Sequence, residues 1–212
     1  MLKRLESQGY KVVRPPTPPE PDNIFDVEVG ARFAVNNSRI AFDTADFIRA
    51  GKYIVGQLSN ATNQKGADFV RTHLPEGHEL ILIEILDDRA LHIDAIFMPI
   101  GPQTALYNPG KVKREELRRH KPFNTWRLLL PVPQQEWTKY PPPYMCSPCL
   151  NINVLMLDEI HVFWEEDDKD MHEFWRELGI EPIILPFKHV HSIGGSFHCA
   201  TADLRRGESS SQ

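Results

Sequence analysis

The segment Gly194-Gly195-Ser196-Phe197-His198-Cys199 sets a thiol directly after a run of small residues. Paired glycines let the backbone turn tightly and approach a ligand, and the cysteine that follows is presented at the lip of a cleft. With a base close in space, such a thiol serves as a nucleophile. The candidate base is His92, in Leu91-His92-Ile93-Asp94. Asp94 follows at i+2, so on a strand both side chains would emerge on one face. An imidazole beside a carboxylate can bind and deprotonate a cationic, hydrogen-bond-rich substrate. The competing reading of the same spacing is a structural histidine satisfied by its neighbours.

In Phe42-Asp43-Thr44-Ala45-Asp46-Phe47, Asp43 or Thr44 suits a helix N-cap and Asp46 the first turn, near the positive end of the dipole. A carboxylate at such a junction can also orient a histidine. Cys146-Ser147-Pro148-Cys149 has the spacing of half a zinc site, for which His198 and Cys199 would be the remaining ligands. It is also the spacing of a redox dithiol. Against the first, the chain has no second CxxC and no HxxxH; against the second, no helical pattern begins at the pair. His189 and His191 alternate on a run expected to be extended, lining a surface or a cleft edge.

The elements that would position these residues repeat as two extended runs, a helix and another extended run. In the last copy, residues 152–157 and 160–164 read as a hairpin turned at Asp158-Glu159. A helix then starts at Asp167-Asp168 and carries Met171, Phe174, Trp175 and Leu178 on one face; Gly179 stops it and a strand returns over 180–186. The preceding copy has extended runs at 90–99 and 104–107, a charged helix at 114–120 and a strand at 125–132. Earlier still come extended pieces in 26–41, helices at 45–58 and 65–74, and a strand at 79–86. The chain opens on a helix at 2–7, a stop at Gly9 and a strand at 10–14. A ββαβ unit beginning at its helix reads as cut, so a longer ring-like fold truncated at its N-terminus is expected.

The 212 residues suffice for one sizeable core or two small ones. With Lys+Arg 24 against Asp+Glu 29, the formal charge is −5, and no basic stripe with interleaved aromatics points to nucleic acid. The longest apolar runs are strand-sized, so no membrane span is expected. The opening Leu2-Lys3-Arg4-Leu5-Glu6 is a mixed-charge helix start, not a targeting segment. Three cysteines, an odd number, argue against a disulfide framework and for a free thiol. Prolines cluster at 15–21 and 141–143, where connections between units are expected.

The chain resembles the amidinotransferases of the guanidino-group-modifying superfamily. The resemblance runs from about residue 41 to 206. It is carried by the 42–51 segment, by His92-Ile93-Asp94-Ala95, by Asn153-Val154-Leu155-Met156-Leu157-Asp158-Glu159, and by the segment ending in Cys199. It implies an α/β fold, a five-bladed propeller (pentein) of ββαβ units, of which this chain would hold about three and a half blades with the N-terminal ones missing. A single domain over 1–212 with a disordered tail at 207–212 is expected.

The resemblance further implies Cys199 as nucleophile, His92 as general acid/base, Asp43 as the carboxylate partnered with that histidine, and Asp94 as holder of the donor guanidinium. Lys111 stands where arginine-using members place an arginine on the donor's α-carboxylate; it keeps the charge but loses the bidentate fork. Cys146 and Ser147 stand where those members have a serine pair that contacts substrate. Leu91 lies where acceptor choice is influenced. The implied activity moves the amidino group of arginine to glycine or a related amine through an amidino-cysteine, releasing ornithine, with no metal and no organic cofactor. Hydrolysis by the same residues is one alternative, and an inactive fragment acting only through association is another. The implied partners are small molecules and a second copy in a homodimer; the implied compartment is cytoplasmic, or mitochondrial for an animal protein.

Overall fold

The structure, a computed structural model, describes residues 2–89, 91–132, 150–192 and 194–203. The chain divides into two compact units, Met1–His92 and Ile93–Gln212. No helix among the described residues is long and apolar enough to cross a membrane.

The first unit opens with α1 (Leu2–Ser7), closed as expected by Gly9 at φ 86°. No strand follows at 10–14 and none forms in 26–41, contrary to expectation. Pro15 and Pro16 cannot donate to a ladder, and among the described residues no neighbouring strand offers Tyr10 or Val13 a partner. Residues 36–41 are held instead by the buried Asn63. Its Nδ2 donates to the carbonyls of Asn36 (2.5 Å) and Arg39 (2.7 Å), while its Oδ1 caps the next helix through Gly66 N–H at 2.8 Å.

The expected helix over 45–58 is a hairpin. A single 3-10 turn, Thr44–Asp46, leads into β1 (Phe47–Ala50), which pairs antiparallel with β2 (Tyr53–Gly56). Phe, Ile, Tyr and Val suit a pleated, half-buried surface, and Gly51 at φ 65° starts the two-residue turn. Next come α2 (Gln64–His73) and β3 (Glu79–Leu82), the latter parallel to β2.

The second unit holds two more ββαβ copies. Antiparallel β4 (Phe97–Gly101) and β5 (Thr104–Tyr107) are followed by α3 (Arg114–Arg119) and by β6 (Arg127–Leu129), parallel to β5. The third copy is the short β7 (Leu155–Met156), β8 (His161–Glu165), α4 (Lys169–Glu177) and β9 (Glu181–Leu185), the last parallel to β8. Asp168 caps α4 through Met171 N–H, and Gly179 at φ 77° ends it. Met171 and Trp175 are buried on the expected face, with Trp175 edge-on to Trp164 at 6.1 Å. The three sheets therefore share one topology, an antiparallel hairpin extended by a parallel strand after a helix. This is the α/β repeat expected from the residue pattern.

Residues 188–191 form a short helix, α5 (Lys188–His191), where an extended run was expected. Phe187, His191 and Phe197 pack together there, with Phe187 and Phe197 stacked at 4.1 Å. That packing overrides the alternation of the two histidines.

Candidate functional site

In the first unit the 3-10 turn Thr44–Asp46 organises an acid–imidazole pair. Asp43 caps the turn, its Oδ1 accepting from Ala45 N–H at 2.9 Å, and its own N–H is held by Thr62 Oγ1 at 3.0 Å. The other carboxylate oxygen lies 3.4 Å from His92 Nε2. A carboxylate fixed in this way can set the orientation of the imidazole.

His92 sits at φ 62°, a left-handed backbone that a side chain adopts only when its surroundings over-determine it. The constraint is Asp46, which is fully buried. Its oxygens accept from Gln57 Nε2 (2.8 Å), Ser59 Oγ (2.6 Å), Thr62 Oγ1 (2.5 Å) and the backbone N–H of His92 (3.1 Å). Asp46 is thus a positioning residue for His92, a stronger role than a first-turn helix charge.

The strand expected to carry His92 and Asp94 on one face is absent. The backbone reverses at His92 and then forms a 3-10 turn, Ile93–Ala95. Ile93, at its start, is fully buried, and the turn closes on itself through Ile96 N–H to Ile93 O at 2.8 Å. The two side chains have separate partners: His92 faces Asp43, and Asp94 belongs to the second unit's cluster.

That cluster surrounds the thiol. Asp94 is 2 % exposed, and its Oδ2 is 2.8 Å from His198 Nδ1 and accepts the Cys199 thiol at 3.4 Å. Its Oδ1 is buried with no hydrogen-bond partner among the described residues. Burial is the largest influence on this carboxyl and opposes its charge. The hydrogen bonds from His198, Cys199 and Asn153 and the charge of His198 outweigh it, so the pKa is lowered. Asn153 is fully buried, donating from Nδ2 to Cys199 Sγ at 3.1 Å and accepting Cys199 N–H at Oδ1, also at 3.1 Å.

The segment before the thiol is shaped as its composition suggests. Gly194 and Gly195 have φ of 88° and 99°, and a Cβ on Gly195 would meet Cys199 Cβ at 2.9 Å. Only glycine fits between the turn and the thiol. Beyond the turn, Ser196 and Phe197 are buried, and Ser196 Oγ pairs with the buried His191 Nε2 at 2.9 Å. Cys199 itself is exposed. Burial of the sulfur, followed by the nearby Asp94 charge, pushes the thiol up to about 11. In the unliganded state this cysteine is a protonated thiol at neutral pH.

Lys111 is half-buried in the turn after β5, where its N–H donates to Asn108 O at 3.0 Å. Asn108 N–H in turn donates to Ile96 O at 2.9 Å, tying that turn to the segment bearing Asp94. Cys146, Ser147 and Cys149 lie outside the described residues, as does the 207–212 tail. Of the zinc reading, the half that can be placed is otherwise engaged: His198 faces Asp94, and Cys199 faces Asp94 and Asn153. Among the described residues no group of three or more His, Cys, Asp and Glu could hold a metal.

Asp46 in the first unit, and Asn153 and His198 in the second, carry the hydrogen bonds of their clusters, roles the sequence reading did not assign them. Asn153 opens one of the motifs quoted above, and His198 adjoins the nucleophile, so adjacency was the available signal.

His191 makes the site acid-sensitive. Burial lowers its pKa from 6.5 to about 4. The unfolded chain therefore binds this proton more readily, and the full stability is present above pH 6.5. It is lost as the pH falls toward 4, by about 3 kcal/mol in total. Asp94, whose folded pKa is lowered from 3.8, gives way only at still lower pH. Urea denaturation at about pH 7 and about pH 4.5 is expected to show this loss, and His191→Gln to flatten it.

No family model matches the chain. The L-arginine:L-lysine amidinotransferase of Pseudomonas savastanoi pv. phaseolicola is 38% identical over 177 residues, covering 83% of this chain and 47% of that protein. The mitochondrial glycine amidinotransferase of Xenopus laevis is 32% identical over 223 residues, covering 97% of this chain and 51% of that protein. Among solved structures, SxtG, an amidinotransferase from Microseira wollei in the saxitoxin biosynthetic pathway, matches with a TM-score of 0.87 and 32% identity, over 100% of this chain and 62% of that one. The chain spans about half the length of the curated relatives it matches. By sequence and by fold, the chain belongs to the amidinotransferases of the guanidino-group-modifying superfamily.

Proposed function

We propose that the chain carries the thiol chemistry of amidino transfer from arginine to an amine, with Cys199 as nucleophile, His92 as general acid and base, Asp43 as its orienting carboxylate and Asp94 as holder of the guanidinium. The observation that carries this reading is Asp94 Oδ1, a buried carboxylate oxygen with no hydrogen-bond partner among the described residues, on a residue that touches the thiol. A charged oxygen in that state is costly unless a donor arrives, and a planar cation brings charge and N–H together.

Binding also solves the problem of the protonated thiol. With the sulfur at about 11, on the order of one molecule in a few thousand holds a thiolate near pH 7.5. A guanidinium against Asp94 neutralises the charge that opposes ionisation and adds a positive one, so the substrate itself lowers the thiol pKa. The thiolate adds to the guanidinium carbon. The C–N bond to ornithine's side chain breaks as His92 protonates the departing amine, leaving an amidino thioether on Cys199. His92 then deprotonates an incoming amine, which attacks the same carbon; the C–S bond breaks and the thiolate returns. Lys111 supplies a positive charge for the donor's α-carboxylate. Glycine and lysine are the acceptors to try first, because the two curated relatives are named for them.

Arginine alone, added to the purified 212-residue chain, is expected to release one ornithine per chain and to add one amidino group at Cys199, read by peptide mass spectrometry. Acceptor amine then discharges it, the mark of ping-pong transfer. Citrulline or ammonia as product would convert the reading to hydrolysis. Neither product, with association seen by size exclusion, would leave the fragment acting only through a partner.

A further inference from the structure

We propose that Asn153 is a further catalytic residue, its side-chain amide donating to the Cys199 sulfur and stabilising the thiolate, while its carbonyl oxygen fixes the backbone from which that sulfur projects. This rests on Cys199 being the nucleophile of the proposed transfer.

The placement of Asn153 is over-determined. It follows the 3-10 turn Leu150–Ile152 and donates its own N–H to Leu150 O at 3.0 Å. Its carbonyl faces His198 N–H at 3.5 Å, its Oδ1 takes Cys199 N–H at 3.1 Å, and its Nδ2 reaches Cys199 Sγ at 3.1 Å. A single planar amide therefore grips both ends of one residue, a task requiring a donor and an acceptor at fixed separation. Aspartate would lose the donor, and an aliphatic side chain both groups. Full burial of Asn153 keeps water from its amide, so on that side nothing competes for these bonds.

The other charged groups at the sulfur make the donor necessary. Asp94 approaches it with a carboxylate, and His198 is turned toward Asp94 Oδ2, not toward the sulfur. Asn153 is the one side-chain donor to Sγ among the described residues. A hydrogen bond strengthens when its acceptor becomes an anion, so this amide favours the thiolate over the thiol. It acts in both half-reactions, when the sulfur attacks and when it departs.

The test is Asn153→Leu, with Cys199 alkylation by iodoacetamide followed by peptide mass against pH, alongside ornithine release. The expected result is alkylation about tenfold slower at about pH 8, with the profile displaced upward, and kcat reduced about ten- to hundredfold while KM for arginine stays within about threefold. Unchanged or faster alkylation would overturn the proposal, because a mere clamp on the loop, once removed, exposes the sulfur. Should the variant not fold, wild-type chain with 13C-labelled asparagine decides. The Asn153 side-chain carbonyl resonance is expected to titrate together with the thiol and to lose that titration in Cys199→Ser; a resonance that stays fixed overturns the proposal. If Cys199→Ser still released ornithine, the transfer reading would fall, and the alkylation and carbonyl shifts would still report on the amide and the sulfur.

Discussion

Cys199→Ser is expected to lower ornithine release from arginine by at least about a thousandfold and to leave the stability within about 1 kcal/mol of wild type. The two effects separate because the residue's chemical role and its packing role are so unequal. The residue as a whole is exposed although its sulfur is partly covered, so replacing sulfur by oxygen leaves little unfilled space. A hydroxyl can still take the hydrogen bond from Asn153 and give one to Asp94. Chemistry is another matter. The guanidinium carbon is delocalised and positive, and only a highly polarisable anion attacks it readily. A serine hydroxyl ionises far less easily than the thiol, even though burial and Asp94 already push that thiol up to about 11. In the second half-reaction an alkoxide is also the poorer leaving group. Ornithine release above about a tenth of wild type, with the fold intact by circular dichroism, would remove Cys199 from the mechanism.

The repeat was legible because its signals are local and redundant. In the third copy, Asp168, Met171, Trp175 and Gly179 each independently predict the helix and its ends, and all four agree with the structure. The 45–58 segment failed because a short apolar run fits both periods, and the deciding residue was a single glycine. Gly51, inside the run read as a helix, starts the turn of a hairpin. The segments at 10–14 and 26–41 failed for a different reason. Extended propensity makes a strand only where a neighbour supplies a ladder, and among the described residues these have none.

The candidate site residues were chosen by type and by resemblance, and the sequence said less about their geometry. Asp43 beside His92 and Asp94 beside Cys199 are both found, yet the strand meant to align His92 with Asp94 is replaced by a left-handed residue and a 3-10 turn. Nothing in a sequence period announces such a reversal; it exists because Asp46, buried and fourfold satisfied, holds the His92 amide. The amide grip of Asn153 on Cys199 spans 46 positions of chain. No spacing rule reaches that far, and only the fold brings the two together.

Asp94→Asn is expected to make the thiol more reactive and the proposed transfer far slower. In the free chain the Asp94 carboxylate is the second cause, after burial, of the raised Cys199 pKa. Removing its charge lowers that pKa, and alkylation of Cys199 at about pH 8 then quickens several-fold. Amidino transfer moves the other way. The variant's neutral amide presents at most one oxygen to a cation that wants a charged, two-oxygen partner. Arginine KM is expected to rise at least about a hundredfold, and kcat/KM to fall about a thousandfold or more. The opposed signs distinguish this role from simple damage, which would depress transfer without quickening alkylation at its pH-dependent step. Alkylation that slows, or an arginine KM that stays where it was, would show that the guanidinium is held elsewhere and that the buried Oδ1 serves some other donor.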